Sequence, residues 1–112
     1  MATARTPDFV TVCTTTDDRG VADAIARAAI ERRFGACARI LMAESVYRWK
    51  GEICVAAEFV VEIKTTAERA PKVEALIREL HAYELPEIVV HPIVGGSQAY
   101  FDWLSGELDA AS

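Results

Sequence analysis

The segment that decides the fold is ICVAAEFVVEIKTT, residues 53–66. Its side chains alternate between two kinds of face, which is the period-two pattern of a β-strand. One set of alternate residues is entirely apolar: Ile53, Val55, Ala57, Phe59, Val61 and Ile63. The other set mixes apolar and charged residues: Cys54, Ala56, Glu58, Val60, Glu62 and Lys64. The segment therefore predicts a long strand with one apolar side and one mixed side.

This strand is longer than a domain of 112 residues needs. The residues from Ile53 to Thr65 span roughly 43 Å at about 3.3 Å per residue, whereas strands usually contain about 3–10 residues. A compact domain of this size has a radius of gyration of about 13 Å and a width of about 35 Å. A tight turn at KGE, residues 50–52, joins the strand to the one before it. We therefore expect this hairpin to extend past the core.

The end of the hairpin is apolar, although it is expected to lie outside the core. Val46, Tyr47, Trp49 and Ile53 surround the turn. An exposed apolar patch usually marks an interface, and aromatic side chains are enriched in the centres of interfaces. The mixed side of the long strand needs a cover as well. We therefore predict self-association, with Tyr47 and Trp49 in the interface.

Six further elements are predicted around the long strand. Strands are expected at residues 8–15, 36–49 and 87–94, and helices at residues 19–34, 66–80 and 98–108. The first helix has N-cap candidates at Thr16, Asp17 and Asp18, and Gly35 is expected to end it. Pro71 favours a start later than Thr66 for the second helix. The apolar positions at helical spacing are Val21, Ala24, Ile25, Ala28 and Ala29 in the first helix and Val73, Leu76, Ile77 and Leu80 in the second.

The order strand–helix–strand–strand–helix–strand–helix predicts an α+β fold of the ferredoxin-like, split β-α-β type. We expect a four-stranded antiparallel sheet with the two main helices on one face and an additional C-terminal helix. Residues 1–112 should form a single domain. Residues 1–7 and 109–112 are expected to be loose ends.

The composition excludes several classes of function. Acidic residues outnumber basic ones by 17 to 12, and the longest basic cluster is Arg32-Arg33, which argues against nucleic acid as a partner. No apolar run approaches the ~20 residues that span a membrane, and the first residues lack the apolar stretch of a signal peptide. The three cysteines form no C-x-x-C pair, which predicts reduced thiols in the cytoplasm. No nucleophile elbow or H-E-x-x-H helix is present, so we expect no enzyme and no catalytic residues.

The segment HAYELPEI, residues 81–88, combines polar side chains with a predicted helix-to-strand turn. Pro86 restrains the turn. His81, Tyr83, Glu84 and Glu87 could ligate a metal, bind a small ligand or take part in acid/base chemistry. His81 could equally interact with the C-terminus of the second helix without any ligand.

Six segments together resemble the CutA family, the divalent-cation tolerance proteins. They are VCTTTDD, GACARI, SVYRWKGEI, VEIKTT, ELHAYELPEI and YFDWL, in this order along nearly the whole chain. The resemblance implies a cytosolic homotrimer of ferredoxin-like subunits with interlocking hairpins, similar in architecture to the PII signalling proteins. It implies no catalytic activity, and a role in tolerance of divalent cations with copper as a candidate ligand.

The resemblance also implies a metal site. The family's proposed ligands fall on Cys13 and His81, and Glu84, Glu87 or a second chain would have to complete the site. The flanking positions are Leu80 and Ala82, where family members can carry a histidine and a proline. Alternatively, Cys13 packs as a small buried hydrophobic residue and binds no metal.

The sequence is also compatible with a second function, the binding of a small anionic ligand. In a PII-like signalling module, Lys64 would anchor a small anionic ligand in a cleft between subunits that also holds Tyr83, Glu84 and Glu87. The alternative for Lys64 is charge pairing with the glutamates on its own side of the strand.

Overall fold

The fold was analysed in a computed structural model, which describes residues 8–109. The elements are β1 (Phe9–Thr16), α1 (Arg19–Glu31), β2 (Cys37–Trp49), β3 (Glu52–Thr66), α2 (Ala70–Leu80), β4 (Val89–Ile93) and α3 (Gln98–Glu107). The strands form one antiparallel sheet in the order β2-β3-β1-β4. The predicted ferredoxin-like α+β fold is confirmed. No helix in the described range is long and apolar enough to cross a membrane.

The long hairpin extends past the rest of the sheet, as its length predicted. β1 pairs with β3 only from Phe59 to Thr66, so that residues 52–58 of β3 pair with β2 alone. We call this part, residues 43–58, the overhang. The molecule measures 47 × 36 × 24 Å, and its radius of gyration is 15.2 Å. That radius exceeds the value of about 13 Å for a compact domain of this size.

The core lies between α1, α2 and one face of the sheet. Its fully buried members include Val12 on β1, Val61 and Ile63 on β3, Ile25 and Ala29 on α1, and Val73 and Ile77 on α2. We call the opposite side of the sheet the open face; Cys13, Glu62 and Lys64 lie on it. The alternation of β3 is thus confirmed where β1 and the helices accompany it, because Val61, Ile63 and Thr65 are buried there.

The predicted apolar face of α1 was wrong by about one position. Ala22 and Ala26 are buried, whereas Ala24 is exposed. Alanines occupy so many positions of this helix that hydrophobicity distinguishes its faces poorly. Ile25 and Ala29 were assigned correctly and fix the helix on the sheet.

The ends of α1 depend on Asp18 and Arg33. The carboxylate of Asp18 accepts hydrogen bonds from the backbone N–H groups of Gly20 (2.8 Å) and Val21 (3.2 Å), which makes it the N-cap. The helix ends at Glu31 rather than Phe34, and Arg33 turns the chain with φ of 60°. The prediction that Gly35 ends the helix was therefore wrong.

The C-terminal end of the described chain is held in place. The ring of Phe101 on α3 stacks on Phe9 with centroids 4.5 Å apart. Beyond α3, the carboxylate of Asp109 accepts hydrogen bonds from Arg69 and from Lys72 Nζ, the latter at 2.6 Å. These hydrogen bonds, that of Lys72 first, lower the pKa of Asp109. Asp109 was expected to be loose and is not; residues 1–7 and 110–112 lie outside the described range.

Candidate functional site

A cleft of about 660 Å³ opens where the overhang passes the segment that joins α2 to β4. β1 ends at Thr16, so beyond that residue only the hairpin of β2 and β3 continues the sheet beside the cleft. The joining segment is neither helix nor strand, because Pro86 lacks a backbone donor and restrains its neighbours. The cleft is lined by Thr15, Ser45, Val46, Tyr47, Trp49, Glu58, Tyr83, Glu84, Leu85 and Glu87.

The wall formed by the hairpin belongs to the open face of the sheet. Ser45, Tyr47 and Trp49 are alternate residues of β2, and alternate side chains of a strand point to the same side. Glu58 lies on the same face, since it pairs with Ala43, two residues before Ser45. Tyr47 and Trp49, both predicted in the interface, thus line the cleft, and their exposed fractions are 44% and 41%.

His81 fastens the joining segment to β1. Its Nε2 atom lies 2.6 Å from the carbonyl oxygen of Thr15, and its Nδ1 atom accepts a hydrogen bond from the backbone N–H of Tyr83 at 3.1 Å. Because a carbonyl only accepts, Nε2 carries the proton and the imidazole is neutral. Both ring nitrogens are therefore engaged, and neither is free to ligate a metal in this conformation.

Tyr83 fastens the same segment to the start of α1. Its hydroxyl oxygen accepts a hydrogen bond from the backbone N–H of Asp17 at 2.9 Å. Burial raises the pKa of the Tyr83 phenol, and the negative charges of Asp17 and Glu58 raise it further. The tyrosine is thus a neutral hydrogen-bonding group in an acidic environment.

Cys13 lies on the open face of β1, where only 7% of its surface is exposed. It is paired across the strands with Glu62 and Val89. Burial raises the pKa of the Cys13 thiol, and the charges of Glu62 and Glu87 raise it further. A thiol held in its neutral form is a poor metal ligand, because the thiolate is the form that binds.

Cys13 and His81 do not form a metal site within one chain. No group of three or more histidine, cysteine, aspartate or glutamate side chains in residues 8–109 is arranged to hold a metal ion. The engaged nitrogens of His81 and the protonated thiol of Cys13 agree with this result. Within residues 8–109 of one subunit, Cys13 and His81 are thus not joined by the further ligands that a metal site requires.

The structure brings Tyr83, Glu84 and Glu87 together in the cleft but leaves Lys64 outside it. Lys64 pairs with Thr11 and Cys37, and it lies six residues, or roughly 20 Å at about 3.3 Å per residue, from Glu58 along β3. Among the described residues that line the cleft, none is lysine, arginine or histidine. An anionic ligand would find no positive partner among the described residues that line this cleft.

Glu58 is a cleft residue that we did not predict from the sequence. The alternation of β3 placed it on the mixed side, but its surroundings depend on where β1 ends and where residues 83–87 return. Those are contacts between distant parts of the chain. A buried carboxylate at the point where a neighbouring strand ends is the signal that could have identified it.

Comparison with known proteins gives a consistent result. Residues 10–107 match the family model of the CutA1 divalent ion tolerance protein. A divalent-cation tolerance protein CutA from Thermus thermophilus is 40% identical over 94 residues, which cover 83% of this chain and 91% of that protein. The human protein CutA is 33% identical over 93 residues, and this chain spans only 52% of its length.

Solved structures agree with the described fold. CutA1 from the psychrotrophic bacterium Shewanella sp. SIB1 has a TM-score of 0.89 at 33% identity, covering 95% of this chain and 100% of that one. A PII-like protein CutA from Nostoc sp. PCC 7120, in apo form, has a TM-score of 0.83 at 31% identity and covers 89% of this chain and 97% of that one.

Proposed function

The chain belongs to the CutA1 divalent ion tolerance protein family, and from this premise we propose that it is a non-enzymatic homotrimer that binds a divalent cation between its subunits. The acidic cleft beside the overhang carries this proposal. Copper is the candidate ion from the family resemblance, and the carboxylates of Glu84 and Glu87 are the ligands that one subunit offers in the cleft.

Self-association is supported by the exposed apolar side chains of the overhang. Met42, which adjoins it, is 82% exposed, and Val46, Ile53 and Val55 are also largely exposed. Residues 52–58 pair with β2 alone, so nothing in the described subunit covers this part of the hairpin on both sides. A patch of this kind usually marks a protein interface. Tyr47 and Trp49 supply aromatic side chains of the type that is enriched in interface centres.

A cation is the class of ligand that the charges of the cleft favour. Glu58, Glu84 and Glu87 all line it. Carboxylate oxygens are ligands of divalent cations, and such ions take at least four ligands in all. One subunit does not supply such a set, so the proposed ion site is completed by the neighbouring copy.

We further propose that the protein acts in a reducing compartment such as the cytoplasm. Cys13, Cys37 and Cys54 are all free thiols. Free, partly buried cysteines persist where thiols are kept reduced. This proposal uses the thiols as structural residues and not as metal ligands.

The test combines assembly with metal binding. Sedimentation equilibrium at micromolar concentration is expected to give three times the 12.3 kDa mass of the chain. Isothermal titration with Cu²⁺, Zn²⁺ and Mg²⁺ should then detect binding that Glu84→Gln and Glu87→Gln weaken by about tenfold or more, as expected for loss of a charged ligand.

Two control variants sharpen this test. Glu31→Gln removes an exposed carboxylate from the end of α1, far from the cleft, and is expected to change nothing. Cys13→Ser should also retain the ion. A monomer, or metal binding that depends on Cys13 and not on Glu84 or Glu87, would contradict the proposal.

A further inference from the structure

Glu58 is a largely buried residue whose carboxylate is open to the cleft. Only 8% of its surface is exposed, and within residues 8–109 its side chain has no hydrogen bond or ion pair. A largely buried carboxylate is stabilised when a positively charged group donates hydrogen bonds to it. Since Glu58 lines the cleft, the position that a partner would take lies inside the cleft.

The walls around this position are aromatic and apolar. Tyr47, Trp49 and Tyr83 contribute rings, and Val46 and Leu85 contribute aliphatic surface. The faces of tryptophan and tyrosine rings attract cations, most strongly when the cation is weakly hydrated. A small metal ion instead requires several oxygen ligands at one point, and the described chain has no such group. The cleft volume of about 660 Å³ falls in the range of small-molecule sites, about 300–1,000 Å³.

We propose that the cleft binds a small organic cation, an alkylammonium or an alkylguanidinium, with its charge against Glu58. Its alkyl part lies along the aromatic and aliphatic wall, and Thr15 and Ser45 offer oxygen atoms for the remaining N–H groups. The inference extends the proposed function, since it uses the same acidic cleft, but it requires neither a bound metal ion nor a particular number of subunits.

The same positive group could come from a lysine or arginine of a neighbouring copy. We commit to a free small molecule because the described chain by itself supplies a carboxylate, aromatic rings and hydroxyl groups around one cavity of small-molecule size. A basic side chain from a neighbour is the competing outcome, and the test separates the two.

The probe is n-butylguanidinium, with n-butylurea as a neutral ligand of nearly the same shape. The chain has two tryptophans, so the Trp103→Phe variant leaves Trp49 as the sole tryptophan reporter in the cleft. Titration should give a saturable change in Trp49 emission with n-butylguanidinium. Affinity for n-butylurea should be at least about tenfold lower, because a hydrogen bond to a charged group is replaced by a neutral one.

Variants on β3 identify the carboxylate responsible. Glu58→Gln should lower the affinity for n-butylguanidinium by about tenfold or more and leave the affinity for n-butylurea unchanged. Glu62→Gln changes a glutamate on the same face of the same strand but outside the cleft, and it should bind like the wild type. If Glu58→Gln does not fold, the comparison of the two probes on the protein with native Glu58 still decides the question.

Equal affinity for the two probes or an unchanged affinity in Glu58→Gln would overturn the inference, as would dissociation of the assembly by Glu58→Gln without cation binding by the wild type. The last result would assign the partner of Glu58 to a neighbouring copy. An assembly that binds Zn²⁺ but not n-butylguanidinium would likewise refute this inference and leave the proposed function intact. A monomer that binds n-butylguanidinium would contradict the proposed trimer and leave this inference intact.

Discussion

At the scale of single residues, Gly35 illustrates a role that spacing does not reveal. A glycine after a helical pattern suggests a helix end, but here Arg33 takes the positive φ and Gly35 lies against β3. A Cβ atom at Gly35 would lie 2.4 Å from Ile63 Cγ2, at a fully buried side chain of the core. Only a residue without a side chain lets α1 return to the sheet this closely.

Gly35→Ala is therefore expected to destabilise the protein by overpacking, by about 1–3 kcal/mol. The change in the free energy of unfolding is measured by urea denaturation followed by circular dichroism. Gly95→Ala serves as the control, because no atom lies within 4 Å of a Cβ placed there, and a change within about 0.5 kcal/mol is expected. Equal effects of the two substitutions would show that the contact with Ile63 relaxes without loss of stability.

At the scale of elements, the chain after α3 closes the end of the domain through charge pairing. Arg69 is buried at the start of α2, and Asp109 reaches it and Lys72 from beyond α3. The hydrogen bond that Arg69 donates to Asp109 raises the pKa of Arg69, while Lys72 and Arg69 lower the pKa of Asp109. The ion pairs of the last described residue with Arg69 and Lys72 thus form only while its carboxylate is ionised.

Asp109→Asn should lower the melting temperature at neutral pH. Because the folded-state pKa of Asp109 is below its unfolded value, the carboxylate stabilises the fold above the unfolded pKa, near ~3.9. That stability is lost as pH falls through the folded pKa. The difference in melting temperature between wild type and Asp109→Asn should therefore be largest above the unfolded pKa and shrink as pH falls through the lowered folded-state pKa.

The control for this pH series is Asp23→Asn, which removes an exposed ion pair with Arg19 at 3.1 Å. Exposed pairs contribute little to stability, so its melting temperature should follow the wild type at every pH. A difference between wild type and Asp109→Asn that does not change with pH would mean that the charge of Asp109 is not what holds the end of the chain.

The elements themselves were largely predictable because each has a strong local pattern. β3 shows its alternation, α2 its stripe of Val73, Leu76 and Ile77, and both were found where expected. The residues gathered in the cleft were less predictable. Glu58 and Lys64 both belong to the mixed side of β3, so the sequence pattern does not distinguish their surroundings. The end of β1 and the return of residues 83–87 decide that Glu58 lies in the cleft and Lys64 outside it.

At the scale of the whole molecule, the described subunit carries an apolar surface that its own core does not use. The overhang adds length to the molecule without adding buried core, since its apolar side chains are largely exposed. Burial of such surface between copies is favourable at roughly 25 cal/mol per Å² of apolar area. The proposed trimer would therefore draw its stability from the overhang, while each subunit keeps its own core of β1, β3, α1 and α2.

Trp49→Asp is expected to dissociate the assembly, because it would place a charge on the apolar overhang through which the copies are proposed to associate. Sedimentation velocity at micromolar concentration should show the mass of a single chain, with circular dichroism still indicating a folded subunit. Ile30→Asp is the matched control: Ile30 is similarly exposed but lies at the end of α1, away from the overhang. A trimer that persists in Trp49→Asp would place the interface elsewhere.

The two edge strands of the sheet, β2 and β4, differ in their capacity to pair with a strand of another chain. β2 borders the sheet on one side, and within the described chain it pairs with β3 alone along all 13 of its residues. β4 borders the other side and contains Pro92, which has no N–H to offer to an added strand. A newly made subunit that meets another before the native assembly forms can therefore join it border to border through β2. The product presents only β4 at its edges, where Pro92 opposes the addition of a further strand.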